Sequence, residues 1–324
     1  MNDTVDRQAS DPNVLQDMNA EPVIDVHLLN KHFGDKHVVN NLSLKVRRGQ
    51  ICGFLGPNGS GKTTSIRLLC GLLDVDSGHG QVLGHDILAE QRAIKNKVGY
   101  MTQRFSFYED LSIEQNLRFV ARLYELKPIK SVIETTLQSL GLTERRHQLA
   151  GELSGGWKQR LALAACTMHK PELLMLDEPT AGVDPKARRE FWDEIHRLAG
   201  NGLTVLVSTH YMDEAERCHV IKYISNGSLK ASGSVSEVIA NSQLYTFIVS
   251  GARLNDAHRM LSAYHQVEQI AAFGMNLHVV GSNLHALKEA LDEVVNATQC
   301  KAVLGETSLE DVFIQLISSN KKSV

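Results

Sequence analysis

Nine consecutive residues have the types and spacing of a phosphate-binding loop, Gly56-Pro57-Asn58-Gly59-Ser60-Gly61-Lys62-Thr63-Thr64. They fit the template G-x-x-x-x-G-K-[S/T] at every fixed position. Glycines let backbone N–H groups converge on phosphate oxygens, and the helix that follows adds its positive N-terminal end. In this pattern Lys62 reaches the outer phosphates and the Thr63 hydroxyl binds Mg²⁺. The loop therefore predicts a site for a nucleoside triphosphate with magnesium.

A second stretch supplies acidic groups. The uninterrupted apolar run Leu173-Leu174-Met175-Leu176 ends on Asp177 and Glu178, as a strand buried on both faces would. Asp177 then has the position of a Walker-B carboxylate, near Mg²⁺ and opposite Thr63. Glu178, at the exit of the strand, can orient and deprotonate an attacking water. The alternative, a solvated turn, does not account for an acidic pair that ends a wholly apolar strand.

Three further polar motifs lie at the ends of predicted elements. Gln103 ends a strand over 98–103, and His210 directly follows a buried strand over 203–209. Leu153-Ser154-Gly155-Gly156 opens a long helix. Gln103 and His210 also fit ordinary polar strand ends, and only their order relative to the other motifs favours a role in catalysis.

The composition is that of a mixed globular protein. The 324 residues are enough for two domains, and a net charge of −3 with both signs interspersed predicts no nucleic-acid partner. Five scattered cysteines favour reduced thiols in a cytosolic protein, and the 14 histidines form no ligand-spaced cluster. No stretch reaches the roughly 18 apolar residues that span a bilayer. The polar segment 1–20 predicts a disordered tail rather than a signal peptide.

The order of predicted elements indicates an α/β P-loop fold over 21–242, followed by a smaller domain. Alternating residues over 23–28 and 42–46 predict an antiparallel lobe before the P-loop strand. The segment 111–151 is helical in character, and Asp184 is placed to cap another helix. After residue 242 the order strand-helix-strand-strand-helix-strand predicts a ferredoxin-like α+β domain over 243–324.

With these motifs in this order, residues 23–241 resemble the ATP-binding subunits of ABC transporters. A Ser-Gly-Gly signature between a P-loop and an Asp-Glu-Pro-Thr strand end is specific to that family. The residues that carry the resemblance are the P-loop, Gln103, Leu153-Ser154-Gly155-Gly156, Leu176-Asp177-Glu178-Pro179-Thr180, Ala181-Gly182-Val183-Asp184 and His210. The resemblance implies a RecA-like P-loop NTPase core with an antiparallel β lobe and a helical signature subdomain.

The resemblance also implies a mechanism for ATP hydrolysis. Two copies would pack head to tail, so that each ATP lies on the P-loop of one copy and under Ser154, Gly155 and Gly156 of the other. Glu178 would polarise the water, Gln103 would contact Mg²⁺ and sense a membrane partner, and His210 would steady the γ-phosphate. Asp184 would span the dimer interface. The second ATPase subunit is expected to be another copy of this chain.

One residue match and two departures from the family pattern bear on these expectations. Phe33 matches the aromatic residue that stacks on adenine, although a core ring would look the same in the sequence. Trp157 replaces the usual glutamine after Ser-Gly-Gly, so interface packing is expected to differ. Thr102 precedes Gln103 where many relatives carry proline, and we expect little consequence from that change.

A finer resemblance is to the bacterial drug- and polysaccharide-export class. It rests on Tyr211-Met212-Asp213-Glu214-Ala215-Glu216-Arg217-Cys218 and on Ser308-Leu309-Glu310-Asp311-Val312-Phe313. It implies a separate integral membrane permease, which determines the substrate, and a cytoplasmic protein held at the inner face of the cell membrane. The extension after residue 242 fits a dimerisation or stability module, or a regulatory domain that gates the ATPase.

The aromatic-rich segment 105–125 has two interpretations. At helical spacing its apolar residues are typical of a core, but the family docks a helix of the membrane subunit at this place. We therefore expect part of the surface over 105–111 to be an interface.

Three functions remain open on the sequence. The first is the ATPase subunit of an exporter, and the second is a soluble ABC-type ATPase that acts on ribosomes or DNA. One P-loop, one signature and no sustained heptads favour the first. The third, an inactive scaffold, is disfavoured because Lys62, Asp177, Glu178 and His210 are all present.

Overall fold

The computed structural model describes residues 21–321, with side chains up to residue 317. The predicted tail over 1–20 lies outside the described residues. The described part of the chain contains three sheets, two with four strands and one with six. Among the helices of residues 21–321, none has the length and apolar character needed to cross a membrane.

A six-stranded sheet forms the centre of the fold. Its strands are β3 (Ile51–Leu55), β6 (Val98–Met101), β7 (Leu173–Asp177), β8 (Thr204–Thr209), β9 (Val220–Ser225) and β10 (Ser228–Gly233). Their order is β10-β9-β3-β8-β7-β6, with every pair parallel except β10 with β9. Strands β3, β7 and β8 are buried along their whole length, as their apolar runs predict. Because β3, β8, β7 and β6 are neighbours, the residues that follow them meet at one edge of the sheet.

An antiparallel sheet of four strands packs beside this centre. It contains β1 (Pro22–Phe33), β2 (Lys36–Arg47), β4 (Ser77–Val82) and β5 (His85–Asp86) in the order β2-β1-β4-β5. Strands β1 and β2 are each 12 residues long and continue through several register shifts. The alternation in the sequence marked only part of each strand, because a bulge breaks the period of two.

Helices cover the central sheet and form a lobe between β6 and β7. They are α1 (Lys62–Leu69), α2 (Gln91–Lys97), α3 (Ile113–Leu123), α4 (Ile129–Ser139), α5 (Gly155–Thr167), α6 (Pro185–Gly200), α7 (Met212–Ala215) and α8 (Val235–Ser242). The predicted cap at Ser112 is present, with its hydroxyl accepting from Gln115 N at 3.2 Å. Short 3₁₀ turns at Thr143–Arg145 and Ala150–Glu152 lead into α5.

The remaining elements build a third sheet. They are β11 (Tyr245–Ser250), α9 (Leu254–Leu261), β12 (Gln269–Phe273), β13 (Asn276–Gly281), α10 (Leu284–Thr298), β14 (Lys301–Gly305) and α11 (Leu309–Lys321). The strand order β12-β13-β11-β14 is that of a ferredoxin-like sheet. We call residues 245–321 the C-terminal module and residues 21–242 the body.

The C-terminal module has its own core and is also packed on the body. Its own core lies between the sheet and helices α9 and α10, around Val249, Leu261 and Leu291. Helix α11 instead joins the core of the body, where the Phe313 ring stacks on Tyr223 of β9 at 4.4 Å between centroids. The module is therefore attached through a buried aromatic contact.

Candidate functional site

The P-loop lies between β3 and α1 in a backbone conformation that needs glycine. Gly56 and Gly61 have φ values of 155° and 99°. A Cβ on Gly56 would lie 2.1 Å from the Ile224 carbonyl oxygen, and one on Gly61 would lie 2.6 Å from that of Val38. The loop is thus fixed between β2 and β9. The buried Ser60 hydroxyl has no hydrogen-bond partner within residues 21–317, so it is available to an anion in the loop.

Lys62 points back into the loop. Its Nζ donates to the carbonyl oxygens of Gly56 at 2.7 Å and Pro57 at 3.1 Å. The side chain is only 5% exposed, and burial lowers the pKa of Lys62 while the nearby Glu178 carboxylate opposes that shift. Phosphate oxygens would offer this ammonium stronger, charge-assisted bonds than the two carbonyls do.

A hydroxyl and a carboxylate meet beside the loop. Thr63 Oγ1 donates to Asp177 Oδ1 at 3.1 Å, and Ser208 Oγ donates to the same oxygen at 2.7 Å. Asp177 is 1% exposed. No group of three or more His, Cys, Asp or Glu side chains in the described residues could hold a metal alone. Mg²⁺ commonly needs only one or two protein oxygens when phosphates supply the rest, so this pair of residues fits it.

Three predicted residues converge on the Glu178 carboxylate. Gln103 Nε2 donates to Oε2 at 2.9 Å, and His210 Nδ1 lies 3.5 Å from the same oxygen. Lys62 Nζ lies 3.6 Å from Oε1. Glu178 itself has a φ of 46°, and its N–H donates to Ser208 Oγ at 2.9 Å. A positive φ is uncommon for a residue with a side chain.

These groups face one open cleft of about 390 Å³. The residues that line it come from β2, the P-loop, α1 and the ends of β6 and β7, and they are Lys36, Val38, Asn58, Gly59, Gly61, Lys62, Thr63, Thr64, Gln103 and Glu178. The P-loop and the acidic end of β7 therefore share a single space.

Phe33 is not a core residue. It ends β1 with 49% of its surface exposed, and the Lys31 ammonium lies 5.7 Å from its ring centroid. The ring is accessible, as a stacking surface must be, but it is not among the residues that line the cleft.

The signature motif lies away from that cleft. Ser154 is the N-cap of α5, its hydroxyl makes no capping bond, and the first turn carries no acidic residue. A Cβ on Gly156 would lie 2.7 Å from Ala187 Cβ, so close contact of α5 with α6 requires glycine. Asp184 caps α6 by accepting from Lys186 N at 3.1 Å and from Ala187 N. Ser154, Gly156 and Asp184 instead line a second cavity of about 400 Å³.

Comparison with known proteins decides the family. The ABC transporter family model matches residues 39–181. A probable multidrug ABC transporter ATP-binding protein of Escherichia coli is 44% identical over 224 residues, which cover 68% of this chain and 39% of that protein. Nod factor export ATP-binding protein I of Burkholderia lata is 33% identical over 300 residues, covering 90% of this chain and 96% of that protein. This chain belongs to the ABC transporter ATP-binding family.

Solved structures agree with that assignment. CbiO1 from Clostridium perfringens, described as part of the ABC transporter complex cbiONQ, has a TM-score of 0.63 and 26% identity over 68% of this chain and 91% of that one. A nucleotide-free ATP-binding cassette from an ABC transporter has a TM-score of 0.61 and is 25% identical. The match covers 68% of this chain and 94% of that one. The predicted P-loop NTPase fold is thereby confirmed. The chain spans about two fifths of the E. coli relative, 39% of its length.

Trp157, the departure from the family pattern, has a local explanation in this cassette. The Cζ atoms of Arg145 and Arg160 lie 4.6 and 5.0 Å from the centroid of its ring. Such cation–π contacts favour an aromatic ring over an amide. Trp157 therefore connects the start of α5 to the 3₁₀ turn at Thr143–Arg145.

One buried carboxylate of the cassette has a place in the site that its sequence did not indicate. Glu214 of α7 is fully buried, accepts from Thr209 Oγ1 at 2.6 Å and is hydrogen-bonded by Thr180 Oγ1. Thr209 directly precedes His210, and Thr180 lies two residues after Glu178. Glu214 thus joins the two loops that carry the predicted base and the predicted histidine. The available signal in the sequence was a threonine close to each motif, Thr180 after Glu178 and Thr209 before His210, because a hydroxyl can donate to a buried carboxylate.

Proposed function

We propose that this chain is the ATP-hydrolysing subunit of an ABC exporter. The observation that carries the proposal is the convergence of Lys62, Gln103 and His210 on the Glu178 carboxylate, beside the Thr63–Asp177 pair. A base, a phosphate-binding lysine and a magnesium site in one cleft are the parts that nucleotide hydrolysis requires.

The proposed reaction is an in-line attack of water on the γ-phosphate of ATP. Glu178 accepts a proton from the attacking water, and Gln103, bonded to the same carboxylate, holds it in position. Lys62 exchanges its carbonyl partners for phosphate oxygens, and His210 steadies the γ-phosphate. Mg²⁺, held by Thr63 and Asp177 with Gln103 nearby, would neutralise charge on the phosphates.

The separation of the signature from the P-loop cleft favours a dimer as the active form. Ser154 and Gly155 are exposed at the start of α5, and the first turn of the helix carries no acidic residue. This positive helix end can therefore bind an anion, but it is not part of the P-loop cleft of its own chain. A head-to-tail pair of copies would place it over the ATP of the other copy. Asp184 and the exposed Phe33 ring complete the proposed site, at the interface and on adenine respectively.

An exposed apolar strip supports a membrane partner. Phe119 and Leu123 are 45% and 69% exposed on one face of α3, and Tyr108 packs edge-on against Phe119 at 5.3 Å. Leu123 continues into a groove of about 790 Å³ that Leu72 also lines. We define Leu72, Tyr108, Phe119 and Leu123 as the docking strip. Contiguous exposed apolar residues of this kind mark interaction sites.

We propose that the docking strip receives an amphipathic helix of a separate membrane permease. Arg92 and Lys95 line the same groove, so the helix is expected to carry acidic residues beside its apolar face. Phe105 and Phe107 pack against the core instead, which leaves Tyr108 as the exposed large apolar residue of 105–111. The protein would then work at the cytoplasmic face of the membrane. Relatives named for multidrug transport and Nod factor export favour an exporter.

The test is to purify the tagged full chain from detergent-solubilised native membranes. We expect a stoichiometric multi-spanning membrane protein with the wild type. We expect F119E to lose it and M275E to retain it, because Met275 is 83% exposed on the C-terminal module, outside the strip. Ribosomal proteins or nucleic acid in place of a membrane protein would contradict the exporter and favour a soluble ABC-type ATPase.

A further inference from the structure

Strand β14 is an open edge of the C-terminal sheet. Within residues 21–321 it pairs only with β11, so the N–H and C=O groups on its other side face outward. Val303 and Leu304, adjacent residues on opposite faces of the strand, are 64% and 54% exposed. An exposed apolar edge is a template for pairing with another strand.

Two other edge strands in the described residues are better protected than β14. Strand β12, the opposite edge of the same sheet, is mostly half-buried, and Gln315 of α11 donates to Glu268 beside its start at 2.9 Å. Strand β10 of the central sheet is polar, and its Ser232 accepts from Lys222 at 2.5 Å. The only charged side chain on β14 is Lys301, at its first residue.

The sequence of β14 is complementary to itself in antiparallel orientation. With Val303 placed opposite Val303 of a second copy, Ala302 lies opposite Leu304 and Lys301 lies opposite Gly305. Lys301 and Leu304 then each face a small residue, and Val303 faces Val303 of the other copy. Lys301 at one end and Glu306 just beyond the other are both exposed. Antiparallel pairing therefore brings strand ends of opposite charge near each other, whereas parallel pairing would place like charges side by side.

We propose that β14 pairs with β14 of a second copy of this chain, about a two-fold axis at Val303. The two four-stranded sheets then form one continuous sheet of eight strands. None of the described β14 residues is among those that line the P-loop cleft, so the contact does not depend on nucleotide. The pairing of β14 can therefore be tested separately from the proposed mechanism of ATP hydrolysis.

The contact is expected to be weak alone. Stable interfaces bury about 1,200–2,000 Å², which is more than two five-residue strands supply. Its effect is to raise the effective concentration of one body near the other. It is thus a tether between the two chains, whereas the P-loop and signature carry the chemistry.

Disulfide trapping in the nucleotide-free full chain tests the register. V303C places two thiols directly opposite each other, where antiparallel Cα atoms are roughly 4.5–5.5 Å apart and within disulfide reach. L304C is the matched control, because in this pairing each Leu304 lies opposite Ala302 of the other copy and not opposite Leu304. Native thiols contribute little background, since four of the five native cysteines are buried and Cys166 is partly buried.

Under mild oxidation we expect at least about fivefold more disulfide dimer from V303C than from L304C or the wild type, because only V303C meets the reach limit. Equal yields from V303C and L304C would indicate random collision and overturn the proposal. A dimer from L304C alone would overturn the register. If V303C cross-links only after residues 1–20 are deleted, that segment covers β14 in its own chain, and the proposal fails.

Discussion

Two buried carboxylates, Glu214 in the body and Asp311 in the C-terminal module, are alike in chemistry and different in use. Both are fully buried and both accept from hydroxyl groups. Glu214 bonds to threonines beside Glu178 and His210, which are residues of the proposed nucleotide site. Asp311 accepts from Thr246 Oγ1 at 3.2 Å and from Ser308 N at 2.9 Å, so it fixes the start of α11 on its own sheet.

The comparison shows that burial of a charged group does not by itself mark a catalytic site. What differs is where the hydrogen-bonded neighbours lead. In the body they lead to the cleft with Lys62, the proposed base and the pair proposed to hold Mg²⁺. In the module they lead to α11 and to the stack of Phe313 on Tyr223. The body therefore contains the proposed nucleotide site, and the contacts around Asp311 fix α11, which attaches the module to the body.

The largest effect is expected from removing the buried ammonium of the cleft. K62A should lower ATP turnover about 100-fold or more, since loss of one preorganised electrostatic group costs that much. Steady-state ATPase assays on K62A and on K288A, an exposed lysine of the module, make the comparison. Equal losses of ATP turnover in K62A and K288A would contradict the claim that the nucleotide chemistry lies in the body and not in the module.

The next effect separates the two carboxylates directly. E214Q keeps the side-chain volume but weakens the bonds to Thr180 and Thr209, so we expect kcat to fall about 10- to 100-fold through misplacement of the catalytic loops. KM for ATP should change little, because Glu214 is not among the residues lining the cleft. D311N should leave kcat within about twofold. A comparable kcat loss in D311N would show that the module controls turnover.

A third variant tests the attachment of the module. F313A removes a 1% exposed ring from the shared core and should lower the free energy of unfolding by about 3–5 kcal/mol. Chemical denaturation measures this loss, and limited proteolysis should release the C-terminal module sooner. Turnover at a temperature where the body is folded should stay within about twofold. An unchanged unfolding curve would mean that the Tyr223 stack does not hold the module.

The smallest effect concerns an ion pair of the antiparallel lobe. The Lys31 ammonium lowers the pKa of Asp76 from 3.8 to about 2. Because the folded pKa is depressed, the pair stabilises above the unfolded pKa and loses that contribution as pH falls through about 2. D76N should therefore unfold at a lower temperature than the wild type at pH 7, with the difference vanishing near pH 2. A difference that persists in strong acid would exclude this ion pair as the cause.

The sequence was sufficient for the parts of the site that are local. The P-loop is one continuous run between a strand and a helix, so its glycines and Lys62 could be assigned from spacing alone. The apolar run before Asp177 indicated a buried strand, and the fold confirms it. Neighbouring parallel strands then bring Gln103, Glu178 and His210 together.

What the sequence did not predict depends on contacts between distant residues. Glu214 is 34 residues from Thr180, and nothing in its neighbours along the chain shows that it is buried. The exposure of Phe33 depends on how far the β1–β2 hairpin extends, and bulges hid that length from the alternation. The separation of Ser154 from the cleft depends on how the helical lobe packs.

Glu178→Gln gives the most direct test of the account. The variant keeps a partner for Gln103 but cannot accept a proton, so ATP turnover should fall at least about 100-fold, with Glu289→Gln on the module as the unaffected control. Light scattering after gel filtration with ATP and Mg²⁺ should show a dimer for Glu178→Gln and a monomer once magnesium is chelated. Turnover at the wild-type rate would remove Glu178 as the base, and a monomer with ATP bound would contradict the two-copy site.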